Sequence, residues 1–233
     1  ITQMGAIASH CDENHFYFKE RDAHGHTVLT GEATCHVDDT VFSGDSPHLN
    51  SRRTALERRF GAISRQTLPF THVGIEYNRL QDGGYHLHQA NFCMAIRPAH
   101  VERGNGNETP LGPKELSAYR SVLGALLYLC ITRADVAVDV VLLASRISKA
   151  TFADLRAANS LVKRAQQNPT RGLVYPRLQG PLAVFSISDS SSSTSSTSYA
   201  VEGNAILLMP LHKCLQTNAY TELNSATLST HCH

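Results

Sequence analysis

The run His36-Val37-Asp38-Asp39-Thr40-Val41-Phe42-Ser43-Gly44 constrains this chain more than any other. Two adjacent carboxylates stand between β-prone flanks, Val28–Leu29 and Cys35–Val37 before them and Val41–Phe42 after. Aspartate is depleted in strands, so an Asp-Asp step with such flanks predicts the tip of a β-hairpin. A tip presents both carboxylates together to whatever lies above the sheet. Mg²⁺ binds through one or two carboxylates plus substrate phosphates, and polymerases use a pair of such ions to clamp the attacking and leaving oxygens of a phosphoryl transfer. Adjacent aspartates in a turn are most often an ordinary solvated, turn-favouring pair. The motif alone leaves both readings open, and the order of the later motifs discriminates.

Those motifs are several. His36-Val37-Asp38-Asp39 with Gly44 is succeeded by Leu56-Glu57 and Phe60-Gly61, by Phe70-Thr71-His72-Val73-Gly74-Ile75-Glu76-Tyr77, and by Gly84-Tyr85-His86-Leu87-His88-Gln89. Then come Tyr119-Arg120-Ser121-Val122-Leu123-Gly124-Ala125-Leu126-Leu127-Tyr128-Leu129 with Thr132-Arg133-Ala134-Asp135, and finally Gly172-Leu173-Val174-Tyr175 and Ser188-Asp189-Ser190. In this order they resemble the reverse transcriptase of copia-type retrotransposon polyproteins, running into a truncated ribonuclease H domain. The resemblance covers roughly residues 12–208.

The resemblance implies an α+β fold made of a partial polymerase palm (an antiparallel sheet with helices), a helical connection region and incomplete ribonuclease H-like strands. It divides the chain into the C-terminal part of the palm and its following hairpin at 1–100, a linker at 101–114, a helical thumb or connection region at 115–170, a ribonuclease H-like start at 171–209 and an unassigned tail at 210–233. It makes Asp38 and Asp39 the catalytic and metal-binding pair for Mg²⁺ or Mn²⁺, with Val37 under the primer end, and Asp189 a metal ligand for RNA-strand cleavage. One acid cannot hold two ions, so no hydrolysis is expected. The family's polymerase site also has a third carboxylate on an upstream palm strand. Only 37 residues precede Asp38, too few for the fingers and that strand. Asp12, the nearest upstream acid that could be proposed, precedes a segment (His15 to Lys19) that reads as the strand before the hairpin, so the third ligand is carried onto no residue. The implied partners are an RNA or DNA primer–template, deoxynucleotides and the rest of the Pol polyprotein.

Composition narrows the alternatives. A formal charge of +1 in 233 residues gives no nucleic-acid affinity from net charge, so phosphate contacts require local clusters. Arg52, Arg53, Arg58 and Arg59 on the helix after the hairpin form one such cluster, or else a solvated helix face. Arg120 and Arg133 either contact phosphate or pair with Glu115, Asp135 or Asp139. Six spread cysteines without a Cys-x-x-Cys pair and the lack of a signal peptide read as a reduced, intracellular chain, cytoplasmic or nuclear. No apolar run approaches the ~20 residues that cross a bilayer, so no membrane partner is expected. Thirteen histidines show no zinc-ligand spacing, although His86 and His88 share a strand face.

Periodicity supplies the elements. The first 44 residues read as a small antiparallel meander. A helix capped by Ser46, with Pro47 at its first position, runs to Phe60 with Leu49, Leu56 and Phe60 as its apolar stripe. Phe70 to Leu80 and Tyr85 to His88 form a second hairpin around Asp82-Gly83-Gly84, and a short helix follows from Gln89 to Arg97. Leu116, Tyr119, Leu123, Leu126 and Cys130, then Val136, Val140, Leu143 and Ile147, then Leu155, Ala158, Leu161 and Ala165 mark three amphipathic helices that pack as a bundle. Leu173 to Tyr175 and Leu182 to Ile187 read as strands. Ser188 to Ser198 is either a linker by composition or the turn before a strand from Tyr199 to Leu208. The functional alternatives are a polymerase segment incomplete on its own, a non-catalytic nucleic-acid-binding retroelement remnant, and an inactive translated fragment.

Overall fold

The computed structural model describes residues 2, 5–102, 104–191, 201–211 and 227–230, the side chains of 46, 189–191, 201–202 and 227–230 excepted. The fold is α+β, with antiparallel sheets and five α-helices among these residues. The chain divides into two units, Ile1–Thr67 and Leu68–His233.

In the first unit, β1 (Ile7–Ala8), β2 (His15–Arg21), β3 (Thr27–His36) and β4 (Asp39–Gly44) form an antiparallel meander in that order, as the alternating pattern predicts. The β2–β3 turn is built on Asp22, whose Oδ1 accepts the His24 and His26 amides, with Gly25 at φ 82°. Helix α1 (Ser46–Phe60) follows. Its cap is Asp45 rather than the expected Ser46: Asp45 is extended, and its carboxylate accepts the His48 amide at 2.8 Å. The helix ends at Gly61, φ 82°.

The expected stripe on α1 is also corrected, because Phe60 is 67% exposed. The helix packs instead through His48 and Arg52, one turn apart, which both cover Phe18. The His48 ring lies 4.8 Å from the Phe18 ring and the Arg52 guanidinium 4.4 Å above it. Gly31 makes room for this, since a Cβ there would stand 2.4 Å from His48 Nε2. The core below is small: Ala6, Phe18 and Ala33, with Phe16 and Phe42 packed against them.

The second unit contains a four-stranded antiparallel sheet, β5 (Phe70–His72), β6 (Ile75–Arg79), β7 (Tyr85–His88) and β8 (Leu173–Tyr175), in that order. The segment Phe70 to Leu80 is therefore two strands, not one. Val73 and Gly74 both take positive φ, 45° and 68°, which reverses the chain in two residues. The Tyr128 hydroxyl donates to the Val73 carbonyl and holds that turn. Strand β8, grouped by sequence with the ribonuclease H-like start, pairs with β7.

Helices α2 (Ala90–Ala95), α3 (Pro113–Leu129), α4 (Ala134–Ala144) and α5 (Phe152–Gln166) follow β7. The last three bury the faces that their spacing predicts: Tyr119, Leu123 and Leu126 on α3, Val136, Val140 and Leu143 on α4, Leu155, Ala158, Leu161 and Ala165 on α5. Each fully buried aliphatic side chain contributes about 1.5–3 kcal/mol, so this is the main core of the unit. The Gly- and Asn-rich segment before α3 is tied down rather than loose. Thr109 and Asn107 carbonyls accept the first amides of α5, and Asn159 closes two hydrogen bonds of 2.8 Å onto the Ala99 backbone.

Strands β9 (Leu182–Ser191), β10 (Val201–Pro210) and β11 (Thr227–Thr230) form a three-stranded antiparallel sheet with β10 central. The β9–β10 pairing runs from Leu182↔Pro210 to Ser191↔Val201, so Ser188 to Ser191 belong to a strand and not to the expected turn. The remainder of the Ser/Thr run lies outside the described residues. No described helix is long and apolar enough to cross a membrane.

Candidate functional site

The hairpin expected at the Asp38-Asp39 step is present, but its turn falls one residue earlier than expected, with Asp39 already in the strand. Strands β3 and β4 pair down to His36↔Asp39, leaving Val37 and Asp38 as the two-residue turn. Val37 carries φ 56° and is 93% exposed. A positive φ is unfavourable for a β-branched side chain, and a strained residue at a turn tip is a feature found at functional sites. Asp38 and Asp39 are both exposed. Below them Cys35 and Thr40 face each other across the ladder, Sγ to Oγ1 3.6 Å.

Two exposed carboxylates at a hairpin tip match the donor chemistry of one Mg²⁺ or Mn²⁺ that takes its other ligands from phosphates and water. A two-ion clamp needs more acid. Among the described residues, no group of three His, Cys, Asp or Glu side chains is placed to hold a metal. Asp12, the upstream acid that sequence could propose, spends its Oδ1 on the Asn14 amide at 2.8 Å in the turn before β2. Asp189 pairs with Gly203 across β9–β10, and its side chain lies outside the described residues.

The six arginines singled out by sequence have diverging roles. Arg52 lies over Phe18 and pairs with Glu20 at 3.4 Å. Arg53 pairs with Glu57 at 3.6 Å on the helix surface. Arg58 is exposed, and Arg59 stands 5.6 Å from the Phe60 ring. Arg120 is exposed on α3. Arg133 is only 2% exposed and takes the pairing alternative: Nε and one terminal nitrogen grip the two Asp135 oxygens at 2.8 and 3.0 Å, and the other terminal nitrogen reaches the Ala165 and Asn168 carbonyls. This arginine closes the C-terminal end of α5, and all three of its guanidinium nitrogens are spent inside the protein. Burial pushes the Asp135 carboxyl up, but hydrogen bonds and charge from Arg133, with Arg171 beside it, outweigh this and hold it below its usual value.

Two motifs that sequence treats separately meet in the interior. The Thr132 hydroxyl donates to Gln89 Oε1 at 2.9 Å, both side chains buried, tying the start of α2 to the α3–α4 junction. The histidine pair on β7 is a packing feature. The His86 and His88 rings are 4.9 Å apart, His88 Nδ1 is 3.7 Å from Glu76, and its Nε2 is 3.0 Å from the Asn78 amide. Burial, then the neighbouring His88, keeps the His86 imidazole below its ordinary value, against a backbone hydrogen bond at Thr170. Sequence reasoning misses Glu76 as a partner because only the register Glu76↔His88 reveals it.

No family model, curated protein or solved structure matches this chain.

Proposed function

We propose that residues 12–208 belong to the reverse transcriptase region of a copia-type retrotransposon polyprotein, an RNA-directed DNA polymerase. Asp38 and Asp39 are its metal-facing pair, and residues 1–233 are catalytically incomplete by themselves. The observation that carries this reading is the Val37-Asp38-Asp39 turn: a two-residue hairpin with a strained, exposed valine and both carboxylates in solvent. Asp38 and Asp39 would hold a divalent ion, which when bound supplies Lewis-acid polarisation of phosphoryl oxygens. The hairpin's own part is to fix the carboxylates at the sheet's end, so that a primer terminus and a nucleotide reach them from one side. The third carboxylate of the family's site is carried onto no residue of this chain, so on this reading turnover requires upstream polyprotein.

Primer extension on an RNA template, in Mg²⁺ and in Mn²⁺, tests this with the chain alone and with an upstream polyprotein segment added. Extension is expected only in the mixture and only with Asp38 intact. Extension retained by Asp38→Asn would overturn the assignment of the site.

A second reading, a non-catalytic nucleic-acid binder, is favoured by the exposure of Arg53, Arg58 and Arg59 on α1. It predicts duplex binding that ignores Asp38→Asn and weakens when these three are neutralised; binding unchanged in the triple variant counts against it.

A further inference from the structure

One end of the β5–β8 sheet carries a row of side chains that the hairpin site does not use. Arg79 is the register partner of Tyr85 across β6–β7, and Tyr85 is the partner of Tyr175 across β7–β8. Directly opposite residues share a sheet face, so arginine, tyrosine and tyrosine stand side by side over three strands. Arg177 follows two residues beyond Tyr175. All four line a single cleft of about 480 Å³, together with Gly83 and Gly84 of the β6–β7 turn. That volume is within the range of about 300–1,000 Å³ seen for small-ligand sites.

The glycines shape the cleft. A Cβ on Gly84 would stand 2.4 Å from the Tyr175 carbonyl oxygen, and one on Gly83 would stand 3.6 Å from Arg177 Cδ. The turn therefore lies directly against the chain leaving β8. Arg79, Tyr85 and Arg177 are exposed and Tyr175 is half-buried. Among the described residues no carboxylate lines the cleft, and the nearby Asp82 is engaged with the Gly84 amide at 2.8 Å. Among the same residues, neither Arg79 nor Arg177 is in an ion pair.

Two guanidinium groups without a carboxylate, beside two tyrosine rings, define a ligand chemistry. Guanidinium forks match phosphate oxygens, and tyrosine rings stack on bases with little regard to sequence. A bare anion leaves the rings unused, and a neutral aromatic leaves the arginines unused. We propose that this cleft binds a nucleoside phosphate, with the phosphate held by Arg79 and Arg177 and the base laid on Tyr85 or Tyr175. The ligand is either a free nucleotide or one residue of a single strand. The site belongs to the unit that begins at Leu68 and does not depend on the reverse transcriptase reading; a negative primer-extension result leaves it untouched.

The test is a low-salt fluorescence-anisotropy titration of the whole chain with a labelled short oligothymidylate, followed by competition with thymidine monophosphate and with inorganic phosphate. Arg79→Gln and Arg177→Gln are each expected to weaken binding about tenfold, the effect of losing a charge-assisted contact. Tyr85→Ala is expected to weaken it about tenfold and Tyr85→Phe to leave it within about twofold, because stacking requires the ring and not the hydroxyl. Unchanged melting of the exposed-site variants Arg79→Gln and Tyr85→Phe checks the fold. Monophosphate that displaces the oligonucleotide at comparable concentration identifies a free-nucleotide site; an oligonucleotide that resists it identifies a strand site. Inorganic phosphate competing as well as the monophosphate would overturn the nucleoside assignment. Absence of binding by every probe, or binding indifferent to both arginine variants, would overturn the site.

Discussion

Val37 holds the β3–β4 turn at φ 56°, where an L-residue with a Cβ is strained by about 1–2 kcal/mol. Val37→Gly is expected to stabilise the Ile1–Thr67 unit by up to ~1 kcal/mol, the relief being partly offset by the entropy of glycine in the unfolded chain. Urea denaturation followed by circular dichroism measures it, and a loss of stability would show that the valine side chain contributes more than its strain costs. Arg133 presents the opposite case, a side chain whose every nitrogen is engaged. Arg133→Ala leaves the Asp135 carboxylate to its Arg171 ion pair at 3.5 Å and strands the Ala165 and Asn168 carbonyls, and is expected to cost about 3 kcal/mol, read as a lowered denaturation midpoint of the helical region. Arg133→Lys should recover little of this, because an ammonium cannot reproduce the fork.

Among the elements, β8 depends on one small residue. A Cβ on Gly172 would stand 2.0 Å from the Leu87 carbonyl oxygen, so Gly172→Ala must push β8 off β7. The expected loss is about 2 kcal/mol or more, with faster amide exchange along Leu173–Tyr175; protection equal to wild type would show that the backbone adjusts. This pairing also shows where sequence stops being legible. The hairpin at Val37-Asp38 and the buried faces of α3, α4 and α5 can be read because a local pattern determines them: β-prone flanks around a turn pair, or apolar residues at helical spacing. The partner of β8 lies far earlier along the chain, Leu87↔Leu173, and no local pattern encodes it. The split of Phe70 to Leu80 escapes for a different reason, since Val73 is a good strand former and only its positive φ betrays the turn. On α1, His48 and Arg52 read as polar although both cover Phe18; an imidazole and a guanidinium plane pack as flat surfaces, which a scale of hydrophobicity does not count. At the candidate site the two aspartates are visible as a pair, whereas the Arg79–Tyr85–Tyr175 row needs the register of three strands.

For the whole molecule, each unit carries a histidine that makes it respond to mild acid, and the second also has a carboxylate that responds only at lower pH. Burial, then the charge of Arg52, holds the His48 imidazole below its ordinary value of 6.5, against Glu20 and Asp45. The unfolded chain then takes up a proton near pH 6.5 that the folded first unit resists, so stability of Ile1–Thr67 falls as pH drops below that value. Asp135 in the second unit has its carboxyl held below the ordinary 3.8. Its contribution is present above that pH and fades only as pH falls through the lower folded value. His86 in the second unit is held low in the same way, so thermal melts from about pH 7 to about pH 5 should lower both transitions, His48→Gln removing the shift of the first unit only and His86→Gln that of the second only. A shift that survives in both histidine variants would show that other groups control the acid response.

The inward use of Arg52 and Arg133 has an electrostatic corollary. A guanidinium stacked on Phe18 or locked onto Asp135 already has its partner and brings no condensed cations off a polyphosphate. Of the six arginines that sequence singles out, Arg53, Arg58, Arg59 and Arg120 are exposed, and the surface contacts of Arg53 with Glu57 and of Arg59 with the Phe60 ring are ones that a phosphate can displace. Their share of duplex binding should show a slope of log affinity against log salt no steeper than about −3.6, where six would give about −5.4.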